Sequence, residues 1–160
     1  MKKRAIVAGL ILLGGMASTA QTVSVAGEWR GIWTNPAGLV FTATMTLETG
    51  PSCKICAVIS DGGIRGKIVW TLRKAGSNAP PETTGTTFTE RVKGEMKGDG
   101  LLVLNGYEID DAAPMKGLDQ YRLAISDNGK VMGGITLNGG TWTGQFIAAR
   151  VQPAERVAPQ

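Results

Sequence analysis

The sequence predicts an all-β protein, an antiparallel up-and-down barrel of eight strands, on three observations. Beyond residue 20 no stretch keeps a helical period for three turns. Short runs rich in Thr, Val, Ile and aromatic residues instead alternate apolar and polar positions with period two, the pattern of a strand with one face in a core. Glycine supplies 23 of the 160 residues, about twice its usual share of ~7%, which fits tight turns and closely packed strands. Sequential strands joined mainly by short turns close into a barrel that leaves no unpaired edge; a two-sheet β-sandwich is the structural alternative.

The strands follow in order. Glu28 to Thr34 opens the series. Leu39, Phe41, Ala43, Met45 and Leu47 then alternate with a mostly polar set, Thr42 to Glu48. Ile64, Gly66, Ile68, Trp70 and Leu72 alternate with Arg65, Lys67, Thr71 and Arg73, so the charged set faces water. Phe88, Glu90, Val92, Gly94 and Met96 share one face of the fourth run, and Leu101 to Tyr107 is the fifth. Tyr121, Leu123 and Ile125 end at Asp127-Asn128-Gly129, residues suited to positive φ in a hairpin turn. The partner strand carries Val131, Gly133, Ile135 and Leu137, and after Asn138-Gly139-Gly140 the last strand carries Trp142, Gly144, Phe146 and Ala148. A short extra strand is possible at Ile55 to Ile59. Three longer connections, Gly50 to Gly63, Ala75 to Gly85 and Glu108 to Gly117, are where such a scaffold would carry function.

Met1 to Ala20 has the form of a secretory signal peptide: Lys2, Lys3 and Arg4, an apolar run from Ala5 to Leu13, then small residues at Ser18 and Ala20. The whole chain carries 17 basic and 13 acidic side chains, a net charge of +4. Cleavage near Ala20 would leave 14 against 13 over 140 residues, a near-neutral exported protein, periplasmic or secreted. Its single domain would span residues 21–150, with a flexible tail at 151–160 that holds two prolines and no pattern. Near-neutrality without a Lys/Arg run argues against a nucleic-acid partner, and no peripheral membrane contact is indicated. The chain has no histidine, which excludes Ser-His-Asp and Cys-His nucleophile systems and histidine-ligated metals. No nucleophile, base and orienter can be assembled, so no enzymatic activity, cofactor or metal is expected.

Gly27-Glu28-Trp29 opening the first strand and Arg150 closing the last resemble the signature of the calycin superfamily, the lipocalins and their relatives. That resemblance implies a barrel plug, with the Trp29 indole at the closed end and the Arg150 guanidinium across it. Such a cation–π contact is worth about 0.5–2 kcal/mol. The further lipocalin motifs of mid-chain are missing here. Thr141-Trp142-Thr143-Gly144-Gln145-Phe146 is similar to a Thr-Trp-Ser-Gly-Gln-Tyr stretch of avidins; the residues themselves read more simply as core, with Gly144 letting a strand pass closely.

Several side chains are candidates for a site. Glu90 shares parity with Phe88 and Val92, so its carboxylate points inward, where it needs donors or marks a polar ligand anchor. A lumen lined by Phe41, Met45, Trp70, Phe88, Val92, Tyr121 and Leu123 would hold a small apolar or amphipathic ligand; fold analogy alone supports this. The alternative is a solid barrel whose loops engage a protein partner as an interaction or inhibitor module. Trp29, Trp33, Trp70 and Trp142 fall on the inward parity as core or stacking wall. Glu108, Asp110, Asp111 and Asp119 form an acidic loop without calcium-binding spacing. Cys53 and Cys56, in an exported chain, favour a disulfide closing a very small loop, with free or intermolecular thiols and a redox pair as the other options.

Overall fold

The computed structural model describes residues 23–49, 63–76, 84–110, 118–138 and 143–152. They form eight strands: β1 (Gly27–Thr34), β2 (Val40–Thr49), β3 (Ile64–Lys74), β4 (Thr87–Lys97), β5 (Leu101–Asp110), β6 (Asp119–Ile125), β7 (Val131–Asn138) and β8 (Thr143–Arg150). Every strand is antiparallel to the next and β8 pairs with β1, closing an up-and-down barrel. The sandwich alternative is thereby set aside. Residues 1–20, the Ile55 to Ile59 run, Cys53, Cys56, Trp142 and the tail from residue 153 lie outside the described residues.

The period-two pattern does what it predicts on most strands. On β2, Phe41, Ala43, Met45 and Leu47 are buried between less buried threonines. On β3, Ile68, Trp70 and Leu72 point inward while Arg65, Lys67 and Arg73 face solvent. Branched and aromatic side chains suit this half-buried pleat, and the burial of some twenty apolar side chains in one cluster is the main force holding the strands together.

Two assignments are corrected. On β7 the inward face is Met132, Gly134 and Thr136, whereas Val131 and Ile135 are exposed. The reason lies across the ladder, where partners share a face: Met132, Gly134 and Thr136 pair with Ala148, Phe146 and Gly144, the inward residues of β8. An apolar pattern on both faces of β7 left its parity open, and β8 fixes it. The second correction concerns the acidic loop. β5 continues to Asp110, and Asp119 is the first residue of β6. Asp110 and Glu108 form ion pairs with Arg91 on the neighbouring β4.

Strand directions give the barrel two unlike ends. At one end lie both termini of the barrel and the short connections from β4 to β5 and from β6 to β7. The β6–β7 turn is built from local bonds: Ser126 N–H donates to Val131 O (2.9 Å), Gly129 N–H to Ser126 O (2.7 Å) and Lys130 N–H to Asn128 Oδ1 (3.0 Å). Gly129 has φ 65° there, a conformation that costs glycine little. The other end carries the connections after β1, β3, β5 and β7.

Candidate functional site

The end with the termini is sealed by a plug. Arg150 stands over the Trp29 indole at 4.3 Å from the ring centroid. Its Nε donates to Gly129 O (2.8 Å), and its two terminal nitrogens donate to the carbonyls of Ala26 and Ser24. The Trp29 indole N–H donates in turn to Val25 O (3.0 Å). The guanidinium therefore straps residues 24–26 across the base of the barrel. Gly27, the third residue of the predicted plug, has φ 129°, and a β-carbon there would crowd the Arg150 guanidinium at 3.0 Å.

Inside, aromatic rings from six strands meet edge to face. Trp33 contacts Phe41, Phe41 contacts Trp70 and Phe88, and Phe146 contacts Trp70 and Tyr121, with centroids 5.6–6.5 Å apart. Such pairs add about 0.5–1.5 kcal/mol each beyond burial. The Trp33 indole N–H is satisfied by Thr136 Oγ1 at 2.6 Å. Gly144 is the space for that indole: any β-carbon at 144 would overlap it. Gly144 thus admits a side chain, where sequence reasoning expected it to admit a strand.

Glu90 is the charged residue of this interior, 1% exposed. Its Oε1 accepts the backbone N–H of Asp119 (2.9 Å), and its Oε2 accepts the Trp70 indole N–H (3.3 Å) and the Tyr121 hydroxyl. Three features of β5 bring these groups together. The register slips between Arg91 and Val92, which face Glu108 and Gly106, so Tyr107 is an extra residue on β5, as in a β-bulge. The β5–β6 ladder ends at Asn105↔Gln120, which leaves the Asp119 N–H to find another acceptor. Gly106, lying between Glu90 and Asp119, has no side chain to block the approach, and a β-carbon there would overlap Glu90 Oε1. Glu90 reaches past Gly106 and takes the place of a missing ladder partner.

The electrostatics follow from burial. Desolvation pushes the Glu90 carboxyl up, and its hydrogen bonds from Tyr121, Asp119 and Trp70 pull it back in part. Asp119, part-buried, is raised from the ordinary 3.8 to about 7, chiefly by desolvation and then by the Glu90 charge. Tyr121 is driven well above its ordinary value by burial first and by Glu90 next, so its hydroxyl keeps its proton and stays a donor. The result is two carboxyls, adjacent and differently buried, in a mostly apolar lumen whose other buried polar side chain among the described residues is Thr136.

The predicted ligand-lining residues are all interior, but the structure does not gather them at one place. Trp70 and Tyr121 hold Glu90 directly. Phe41 and Phe88 touch each other, and Phe88 is only part-buried. Met45 pairs with Trp29 beside the plug, and Leu123 pairs with Leu102 near the same end. Val92 is buried one inward position from Glu90 towards that end, opposite Gly106. Sequence reasoning placed Asp119 in an acidic loop rather than beside Glu90, and it missed Gly106. The signal for Asp119 was its parity with Tyr121 and Leu123. The cysteine pair of the disulfide expectation falls among residues 50–62, outside the described residues. No protein-family model matches the chain, and no curated protein matches it either.

Proposed function

We propose that this chain is an exported, lipocalin-like barrel that binds a small apolar or amphipathic molecule at the end opposite the plug, with the Glu90 and Asp119 carboxyls as its polar anchor. The observation that carries the proposal is a buried carboxylate in an aromatic interior. Ionised groups are expensive to bury, and an apolar side chain of similar volume is often as good or better for stability. A carboxyl kept there, next to a second one that titrates near neutrality, suits recognition of a polar group on an otherwise apolar guest. The plug at one end and the part-exposed Phe88 and Asp119 towards the other direct a guest to that other end. The signal-peptide form of residues 1–20 supports export, and the absence of histidine supports binding over catalysis.

The second reading, a solid barrel working through its loops on a protein partner, draws support from the edge-to-face rings that fill the space between Trp33 and Tyr121. Native mass spectrometry of the protein purified from its own host separates the two. Ligand binding predicts a small-molecule adduct that Glu90→Gln diminishes while the far-UV spectrum is unchanged. A bare chain that also fails to take up the apolar dye N-phenyl-1-naphthylamine would refute it and leave the solid barrel.

A further inference from the structure

Inside the barrel the carboxyls outnumber the groups that balance them. Glu90 and Asp119 are neighbours, since the Asp119 backbone N–H donates to Glu90 Oε1 at 2.9 Å, and Asp119 shares its parity on β6 with the buried Tyr121 and Leu123. Their situations differ. The Glu90 oxygens accept from the Trp70 indole, the Tyr121 hydroxyl and that N–H. The Asp119 carboxyl is acted on by burial and by the Glu90 charge, and both oppose its ionisation. Among the described residues no donor or cation offsets them. No Lys or Arg side chain there is buried. Arg91, next to Glu90 in the chain, turns outward to Asp110 and Glu108; Arg150 closes the opposite end; Arg73 and Lys74, which end β3 at the rim, are exposed.

From this imbalance we infer, on the ligand-binding reading above, that the guest is a primary ammonium compound with an apolar tail, its ammonium seated against the Asp119 and Glu90 carboxyls. Three observations select a cation over other head groups. An anionic head needs donors, and each interior indole and phenol among the described residues has already given its own: Trp29 to Val25 O, Trp33 to Thr136 Oγ1, Trp70 and Tyr121 to Glu90. An anion would also set like charge against the carboxyl pair. A neutral hydroxyl can hydrogen-bond to Asp119 but leaves the charge of the pair unbalanced, whereas an ammonium brings donors and positive charge together. Finally, the approach from the end opposite the plug is aromatic. Phe88 lies one inward position from Glu90 towards that end and pairs with Trp70 across β3 and β4, and ring faces attract an ammonium where they repel an anion.

The test is isothermal titration calorimetry of the full chain at pH 8 with three compounds that share one tail and differ in the head: octylamine, octanol and octanoate. Octylamine is expected to bind at least about tenfold more tightly than octanol, the worth of a hydrogen bond to a charged group, and octanoate the most weakly. Asp119→Asn keeps the shape of the side chain and removes its charge. It should weaken octylamine by about tenfold and leave octanol unchanged. A purely structural role for Asp119 would move all three affinities together or none of them, and either result overturns the inference. Octanol or octanoate binding as tightly as octylamine overturns it too, and so does a chain that binds none of the three while taking up N-phenyl-1-naphthylamine; in both cases the ligand-binding reading stands. A chain that takes up neither the dye nor any of the three overturns both.

Discussion

Asp119 makes the barrel's stability depend on pH in a direction opposite to that of most paired carboxylates. Its folded value, about 7 against an ordinary 3.8, means that the folded state binds the proton more tightly than the unfolded chain. The contribution is therefore full below about pH 4 and is lost as pH rises through about 7. At about 1.36 kcal/mol per unit the whole shift corresponds to about 4 kcal/mol, of which about 2.6 kcal/mol is lost between pH 5 and pH 8. Asp119 is part-buried, and solvent screening lowers the expected loss to about 2 kcal/mol. Asn at this position imitates the protonated carboxyl at every pH. Urea unfolding of wild type and Asp119→Asn at pH 5 and pH 8 reads the effect of this carboxyl together with its coupling to Glu90, because the more distant titrating groups are common to both. The Asn variant should be the more stable at both pH values, and its advantage should grow by about 2 kcal/mol from pH 5 to pH 8, or about 1 M in the difference of midpoints for a slope near 2 kcal/mol per molar urea. A difference that does not change with pH, or a wild type more stable than the variant at pH 8, would refute this account of the pair.

Tyr121→Phe removes one of three donors to the buried Glu90 carboxyl without altering ring packing, and should cost about 1.5–3 kcal/mol in urea unfolding. Stability within a few tenths of wild type would show that the hydroxyl is dispensable. Arg150→Ala removes the stack on Trp29, worth about 0.5–2 kcal/mol, and releases the carbonyls of Ser24, Ala26 and Gly129. Amide exchange should accelerate at residues 24–28 and in the Ser126–Lys130 turn while β2 and β3 keep their protection; uniform acceleration would mean that Arg150 supports the whole barrel.

The barrel was legible because its strands are amphipathic with period two and its turns are marked by glycine and asparagine. Glu90 was legible for the same reason, since Phe88 and Val92 fixed its parity, and so was the plug, carried by residues at the two ends of the pattern. Other features could not be read locally. β7 offers apolar residues on both faces, and only its pairing with β8 decides that Thr136 goes in, to meet Trp33. Asp119 sits among acidic residues close in sequence, yet Asp110 and Glu108 turn outward to Arg91 while Asp119 joins Glu90. That separation depends on the bulge at Tyr107 and on where the β5–β6 ladder stops, both of which are properties of strand pairing.

Glu90 is better understood as part of the backbone arrangement than as an isolated buried charge. The bulge carries β5 out of register, the ladder to β6 ends, and an N–H at Asp119 is left without a carbonyl. A carboxylate can supply that acceptor only if nothing fills the space between, which is what Gly106 provides. Its other oxygen then needs donors, and the Trp70 indole and the Tyr121 hydroxyl each have a polar atom that must be satisfied inside an apolar core. Replacing Glu90 alone with an apolar residue would leave three donors unpaired, each at about 1–3 kcal/mol. The four residues hold one another in place, and the interior keeps a charge-bearing group beside Asp119. An amphipathic guest would meet that arrangement ready formed, with no further ordering of side chains required.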